Sequence, residues 1–304
     1  MLKKKKNNRN KMFSIVKIFS KYLIKLLVIF IIIFVYIWTL WWLSLKPSLL
    51  LDWNDTEKIL ANIDFSKEET NNTIFIQNVR NFRHITEQKA IKWYYDQIYD
   101  LNKLERLYYI VEPFSKFNGP AHTMLSFEFS DWKYLVISAE IRKEKWENFD
   151  PFLWILNQYE IVYILGDEND LIRLRTNIRK DEVRMYPIKV SKDNLKKIFL
   201  SALHRADKLS KEPEFYNTFW NTCMTNILKH VNSVISDKNK KVKTLNLDIF
   251  LPANSDKIAY KLWWIDTNLP LQEARKFYNI TLLAQKYKDN KDITFSEFIR
   301  EKIK

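Results

Sequence analysis

The sequence predicts an α+β protein: an N-terminal transmembrane helix, then a mostly antiparallel sheet packed with C-terminal helices. Three features lead there. Leu26–Leu45 runs twenty residues without a charge, long enough to cross a bilayer. Between Thr73 and Val190 the chain breaks into short runs of β-branched and aromatic residues, several alternating with a period of two. After Ser191 the apolar residues recur at helical spacing instead. Strands gathered first and helices last argue for α+β rather than alternating βαβ units.

The N-terminus carries Lys3, Lys4, Lys5, Lys6, Arg9, Lys11, Lys17, Lys21 and Lys25, nine positive charges with no acid among them. At about 1.5 Å per residue the apolar run that follows spans roughly 30 Å, the thickness of a bilayer core. Trp38, Trp41 and Trp42 cluster at its far end, where interfacial aromatics belong, and Lys46-Pro47 closes it. A cleaved signal peptide would have a shorter apolar region and a small-residue cleavage site, which Leu45–Leu51 does not offer. The expected division is a basic cytoplasmic tail over 1–25, an uncleaved anchor over 26–45, and a domain over 46–304 on the opposite side of the membrane.

The formal charge of +14 is mostly the tail's: nine of the fourteen excess charges lie there, leaving five for the domain. No basic stripe of the kind that binds nucleic acid is evident. Two glycines in 304 residues exclude a glycine-rich phosphate cradle. One cysteine and four histidines show no metal-ligand spacing. No cofactor or metal is expected. A single cysteine fits an exported domain that does without disulfides.

Asp52–Phe65 reads as an amphipathic connector, and Thr73–Phe82, Trp93–Leu101 and Leu107–Pro113 as strands. Asn118-Gly119-Pro120 is a turn. His122–Phe129 alternates, with His122 or Met124 on one face and Leu125, Phe127 and Phe129 on the other, and Tyr134–Arg142 returns to make an antiparallel hairpin. Tyr159–Leu165, Asp170–Arg175 and Val183–Val190 are further predicted strands. Helical spacing follows over Ser191–Ser210, Cys223–Ile235, Ser255–Trp264, Leu271–Lys288 and Thr294–Ile303.

Cys223 is the residue to examine for chemistry. Asn221 or Thr222 before it can cap the helix, which places the thiol in the first turn, where N–H donors and the helix dipole favour the thiolate. A lone cysteine packed as a small hydrophobe is the plainer alternative. A nucleophile needs a base within reach and a group that orients the base. His230 stands two turns along the same helix, roughly 10.5 Å away by helix rise. His204 lies in a charged amphipathic helix, and His84 beside Arg80 and Arg83. His122 remains, opening a strand after the Gly-Pro turn. A hairpin loop of about three to five residues would bring Ser138 or Glu140 to its level. The charged stretch holding Asp167, Glu168, Asp170, Arg173 and Arg175 is either an anion site or a solvated loop of ordinary ion pairs.

Several blocks carry a resemblance: LKPS with Asp52-Trp53, NVRNF (Asn78–Phe82), HTMLSFEF (His122–Phe129), ISAEIRKEK (Ile137–Lys145), YEIVYILGDENDLIRLRTN (Tyr159–Asn177), FYNTFWNTCMTNI (Phe215–Ile227) and LPANSDKIAYKLWWID (Leu251–Asp266). Together they resemble a bacterial family once catalogued as a domain of unknown function, the N-terminal periplasmic domain of Bacteroides-type lipoprotein N-acyltransferases. The resemblance implies a permuted papain-like thiol fold, with Cys223 as nucleophile, His122 as general base and Glu140 as third member. It also implies a thioester-forming acyltransferase or acyl hydrolase at the bacterial inner membrane, its domain in the periplasm and its substrate a membrane lipid or lipoprotein. A peptidoglycan-directed thiol amidase and a non-catalytic envelope scaffold are the alternatives. Asn221 and Thr222 beside the thiol, with Arg173 and Arg175, are the expected binding residues. Two positions depart from the family's pattern: Thr222 stands where Asn is usual, and Trp146 where Gly is common. The acyltransferases carry further membrane spans after this domain, and none follows before Lys304, so thiol chemistry is implied more directly than the full lipoprotein activity.

Overall fold

A computed structural model describes residues 2–114, 119–147, 159–238, 241–244, 246–289 and 292–303, without the side chains of 2–18 and of Trp42 and Leu43. Asn118 of the expected turn and the tail's basic side chains up to Lys17 therefore lie outside the described residues. Contacts divide the chain after Lys46. The first unit is one helix, α1 (Leu2–Ser44). Its stretch Phe19–Trp41 has a mean hydropathy of 2.7 and is long and apolar enough to cross a membrane.

In the second unit β1 (Asn62–Asp64), α2 (Glu68–Asn71) and β2 (Thr73–Arg80) come first, and β3 (Arg83–His84) with β4 (Ala90–Ile91) makes a separate two-stranded ribbon. Then follow β5 (Tyr94–Asp100), β6 (Leu104–Pro113), β7 (Ala121–Phe129), β8 (Tyr134–Arg142) and β9 (Glu160–Gly166). A short helix α3 (Glu168–Arg173) runs into a π-helical turn, Leu174–Arg179, and β10 (Arg184–Pro187) returns to the sheet. The remainder comprises α4 (Lys192–Lys211), β11 (Glu214–Phe215), α5 (Cys223–Ser233), α6 (Leu247–Phe250), α7 (Asp256–Lys261), α8 (Leu271–Phe277), α9 (Thr281–Lys286) and α10 (Phe295–Phe298).

The main sheet runs β1-β2-β9-β8-β7-β6-β10, with β5 beside β2 and β11 beside β9. Its pairs are antiparallel except β2–β9, which meet in parallel at Arg80 and Gly166. There a Cβ on Gly166 would stand 3.0 Å from the Arg80 carbonyl oxygen, so glycine permits the approach. Both faces of the sheet are covered, which is why every residue of β7 and of β9 is buried. On one face Leu125, Phe127, Leu135, Ile137 and Tyr163 pack against α4 and α5 through Phe199, Leu203, Ile227 and Leu228. On the other, Tyr108, Met124, Val136 and Ile164 meet α3, α9 and α10 through Leu171, Ile172, Ala284, Phe295 and Ile299.

Period-two alternation thus sorts two cores rather than a core and a solvent face. The polar residues of the second face acquire buried partners. Ser126 donates to Glu168, and Arg300, fully buried, donates to both Glu168 oxygens at 2.6 and 2.7 Å and stacks between Tyr108 and Tyr134.

Two element assignments are corrected. Asp170–Arg175, predicted as a strand, is helical: the Asp167 side chain accepts from the Asn169 N–H and caps α3, so a local cap outweighs a short apolar run. The helix expected over Leu271–Lys288 is broken between α8 and α9. There Tyr278 accepts from the Met185 N–H at 2.9 Å and Ile280 donates to Val183 at 2.9 Å. Pairing with the β10 region takes those backbone groups away from a continuous helix.

Candidate active site

α5 begins at Cys223 because Thr222 caps it: the Thr222 hydroxyl accepts from the Thr225 N–H, and the Thr225 hydroxyl accepts from the Thr222 N–H. Asn221 braces the cap from behind, donating to Phe215 at 2.8 Å and accepting from Asn226 at 2.9 Å. The thiol therefore occupies the first turn of an eleven-residue helix, where the dipole favours its ionised form.

His122 is brought to it by the sheet. The β7–β8 ladder pairs Leu125 with Ile137 and goes no further, although β7 remains paired with β6 to Ala121, and β8 with β9 to Arg142. Beyond Leu125 the hairpin is opened, and His122, Ser138 and Glu140 face one another across it. His122 Nε2 lies 2.7 Å from Ser138 Oγ and 3.1 Å from Glu140 Oε1. Ser138 spends its one proton on Glu140 at 2.7 Å, so it accepts from Nε2, and the network assigns the imidazole proton to that nitrogen. Nδ1 is then the nitrogen left to receive the proton of the Cys223 thiol, which is within hydrogen-bonding reach of the ring.

The charges are set by the same contacts. Burial opposes a charged imidazole, but the Glu140 carboxylate and the thiol beside it hold His122 up at about 10. Burial likewise opposes the thiolate, and hydrogen bonds and charge from His122, with Thr123, more than offset it, so Cys223 sits below the ordinary thiol value. Glu140, despite burial, is held well below the usual carboxylate range by His122 and Arg175. These groups favour a thiolate–imidazolium pair. Cys223 is 5% and His122 8% exposed, so the pair acts through little intervening water, where charges couple strongly.

Arg175 belongs to this array. Its guanidinium donates to Glu140 at 2.8 Å, to Glu112 at 2.6 Å and to the Leu171 carbonyl at 2.7 Å. Glu112 stands opposite His122 in the β6–β7 register. Arg173, also expected to bind, lies elsewhere: it pairs with Asp289 at 2.8 Å and packs over the Tyr287 ring. The remaining histidines stay apart from the thiol. His230 is bonded to Tyr163 at 2.7 Å and Ser201 at 2.9 Å, and burial pushes it down to about 3. His84 meets Asp170 at 2.8 Å, and His204 stacks on Phe65.

Sequence reasoning missed Thr123, Tyr216 and Glu112. The Tyr216 hydroxyl lies within hydrogen-bonding reach of the Cys223 backbone N–H and thiol, and burial with the charge of Cys223 raises its own ionisation well above normal. Glu112 alone left a signal, an acid inside the otherwise apolar run YYIVEP. Along α5, where it faces the sheet and α4, lies a cavity of about 280 Å³ lined by Leu125, Ile198, Met224, Ile227, Leu228 and Trp264 among others. Met224, next in sequence to the thiol, accepts from the Tyr109 hydroxyl at 3.1 Å.

No curated protein and no solved structure matches the chain. Residues 89–255, more than half of the chain and enclosing Glu112, His122, Ser138, Glu140, Arg175 and Cys223, match the family described as the Lnb N-terminal periplasmic domain. The protein therefore belongs to the Lnb N-terminal periplasmic domain family.

Proposed function

We propose that this is a membrane-anchored cysteine acyltransferase or acyl hydrolase of the periplasm, built on a permuted papain-like plan, with its N-terminus in the cytoplasm. The Cys223–His122–Glu140 array, its thiol and imidazole buried, carries the reading. The Cys223 thiolate attacks the carbonyl carbon of an ester or amide, and the oxygen takes up the displaced electron pair. The Tyr216 hydroxyl, whose oxygen accepts from the Cys223 N–H, is the donor we assign to that oxygen. Collapse forms a thioester and expels the alcohol or amine, which leaves with the proton of the His122 imidazolium. Water or an acceptor amine then gives its proton to His122 as it attacks, and the thiolate is released. Glu140, held by Arg175 and Ser138, keeps the imidazole in the required tautomer and offsets its charge.

The apolar cavity along α5 favours a long acyl chain over a peptide as the group transferred, since it offers hydrocarbon contacts within one residue of the thiol. The test is acylation of the full chain in nanodiscs containing an alkyne-tagged phospholipid or diacylated lipopeptide. The expected result is a hydroxylamine-sensitive label that Cys223→Ala and His122→Ala abolish. Wild-type labelling no greater than that of Cys223→Ala refutes the reading. Turnover of muropeptides in place of acyl lipids would assign the same array to an amidase.

A further inference from the structure

At the opposite end of the β7–β8 hairpin from Cys223 lies a second cleft, of about 410 Å³, within the range of small-ligand sites, about 300–1,000 Å³. Glu128 and Tyr134, paired at this end, stand six residues along β7 from His122, about 20 Å by strand rise. The cleft is thus separate from the thiol array, and its chemistry is different. We propose that it binds an uncharged saccharide, stacked on aromatic rings and held by amide and carboxylate groups.

Aromatic and polar groups alternate around it. Tyr95, Gln97 and Tyr99, successive same-face residues of β5, form one wall; Tyr99 and Tyr287 are buried against their neighbours, and exposed Trp132 and half-buried Tyr95 are the rings a ligand can reach. Flat rings suit the C–H faces of a sugar, and Tyr and Trp bring a polar edge to the same contact. Asn81, Asn169 and Asp167 supply the donors and acceptors that hydroxyl groups require. Asp167 accepts from the Asn169 N–H at 2.8 Å and the Tyr95 hydroxyl at 3.3 Å, leaving acceptor capacity on a carboxylate with about four lone-pair sites. The lining charges balance: two cations, Arg83 and Lys133, stand with two acids, Asp167 and Asp289, and each cation has an acid within 3.5 Å. That balance favours a neutral ligand over an anion or a cation.

Trp132 adds an independent observation. It sits in the turn between β7 and β8 with φ at 64°, a left-handed conformation that favours Gly or Asn and is an outlier for a bulky side chain. The residue is 64% exposed, so burial in the core does not explain the choice of tryptophan. A large ring held at a strained, open position beside a polar cleft fits a stacking platform.

The test is calorimetric titration of the detergent-solubilised full chain with two probes, the tetrasaccharides of N-acetylglucosamine and of glucose. Their comparison shows whether the acetamido group is read. Trp132→Gly removes the ring and relieves the backbone, and Asp167→Asn keeps the capping oxygen, so both variants fold, which cooperative melting checks. The expected result is saturable binding of at least one probe below about 10 mM, weakened about tenfold in each variant, the scale of losing one aromatic contact or one charged hydrogen bond. Cys223 labelling stays unchanged in both variants. Absence of saturable binding of either probe to wild type, or binding unaltered in either variant, overturns the proposal.

Discussion

Replacing Glu140 by Gln tests the electrostatic account of the thiol most directly, because it removes a charge and leaves the shape and the Ser138 contact. The imidazole of His122 is held at about 10 against an ordinary 6.5, a rise of about 3.5. Burial pulls the other way, and the Glu140 carboxylate, 3.1 Å from Nε2, is the largest raising cause, ahead of the thiol. One opposite charge at such range is worth about 1–3 pH units. A fall of about 2 units is therefore expected, equivalent to about 3 kcal/mol of lost imidazolium stabilisation. The sign follows: a raised imidazole is protonated over a wider range, so losing its anion lowers the upper edge of the thiolate–imidazolium window from about 10 to about 8 and raises the lower edge, where the thiol ionises.

The chain has one cysteine, so selective ¹³Cβ labelling gives a single resonance that reports its ionisation without reagent access. In wild type that resonance should reach its thiolate position below the ordinary thiol value of about 8.5 and shift again near 10 as His122 loses its proton. In Glu140→Gln the two steps should close toward each other, and both belong to the pair rather than to either residue. A wild-type resonance with a single step at the ordinary thiol value would refute the ion pair. An upper step unmoved in the variant would refute the role given to Glu140.

Arg175→Met should cost about 3 kcal/mol in urea unfolding, the low end of the penalty for breaking a buried pair, since fully buried Glu112 keeps Arg179 at 3.6 Å and Glu140 keeps His122 at 3.1 Å. His230→Asn should leave the cysteine titration unchanged while His122→Asn abolishes its low-pH thiolate, read by the same resonance, because only His122 reaches the thiol. Burial raises Asp167 to about 6 from 3.8, so folding favours its protonated form, a contribution complete below about 3.8 and lost as pH rises through about 6. Asp167→Asn should thus gain about 2 kcal/mol over wild type at pH 7, discounted for partial exposure, and nothing at pH 3 in paired melts. Leu228→Trp, which fills the cavity along α5, should suppress acyl labelling of Cys223 without shifting its titration, measured by gel fluorescence and by NMR.

Much of the molecule was legible in local patterns. The uncharged run before Lys46 spans a bilayer by length alone, and the alternation in HTMLSFEF and YLVISAEIR sets a hairpin whose register, Leu125 opposite Ile137, carries His122 to the level of Glu140. Thr222 ahead of an apolar helical stripe located the start of α5. These are short-range decisions, made by side-chain period, turn length and capping.

Long-range packing decided the rest. No local signal says that β7 and β8 part beyond Leu125, that Tyr216 turns back to the Cys223 N–H, or that Arg175 leaves a charged surface stretch to brace Glu140. Nor does alternation reveal that the polar face of β7 is covered, since Arg300, 172 positions after Glu128, is what neutralises it. Sequence determined which faces and ends its elements would have. The tertiary structure decided what covers them, because a buried charge is tolerated only where a distant partner arrives to pair with it.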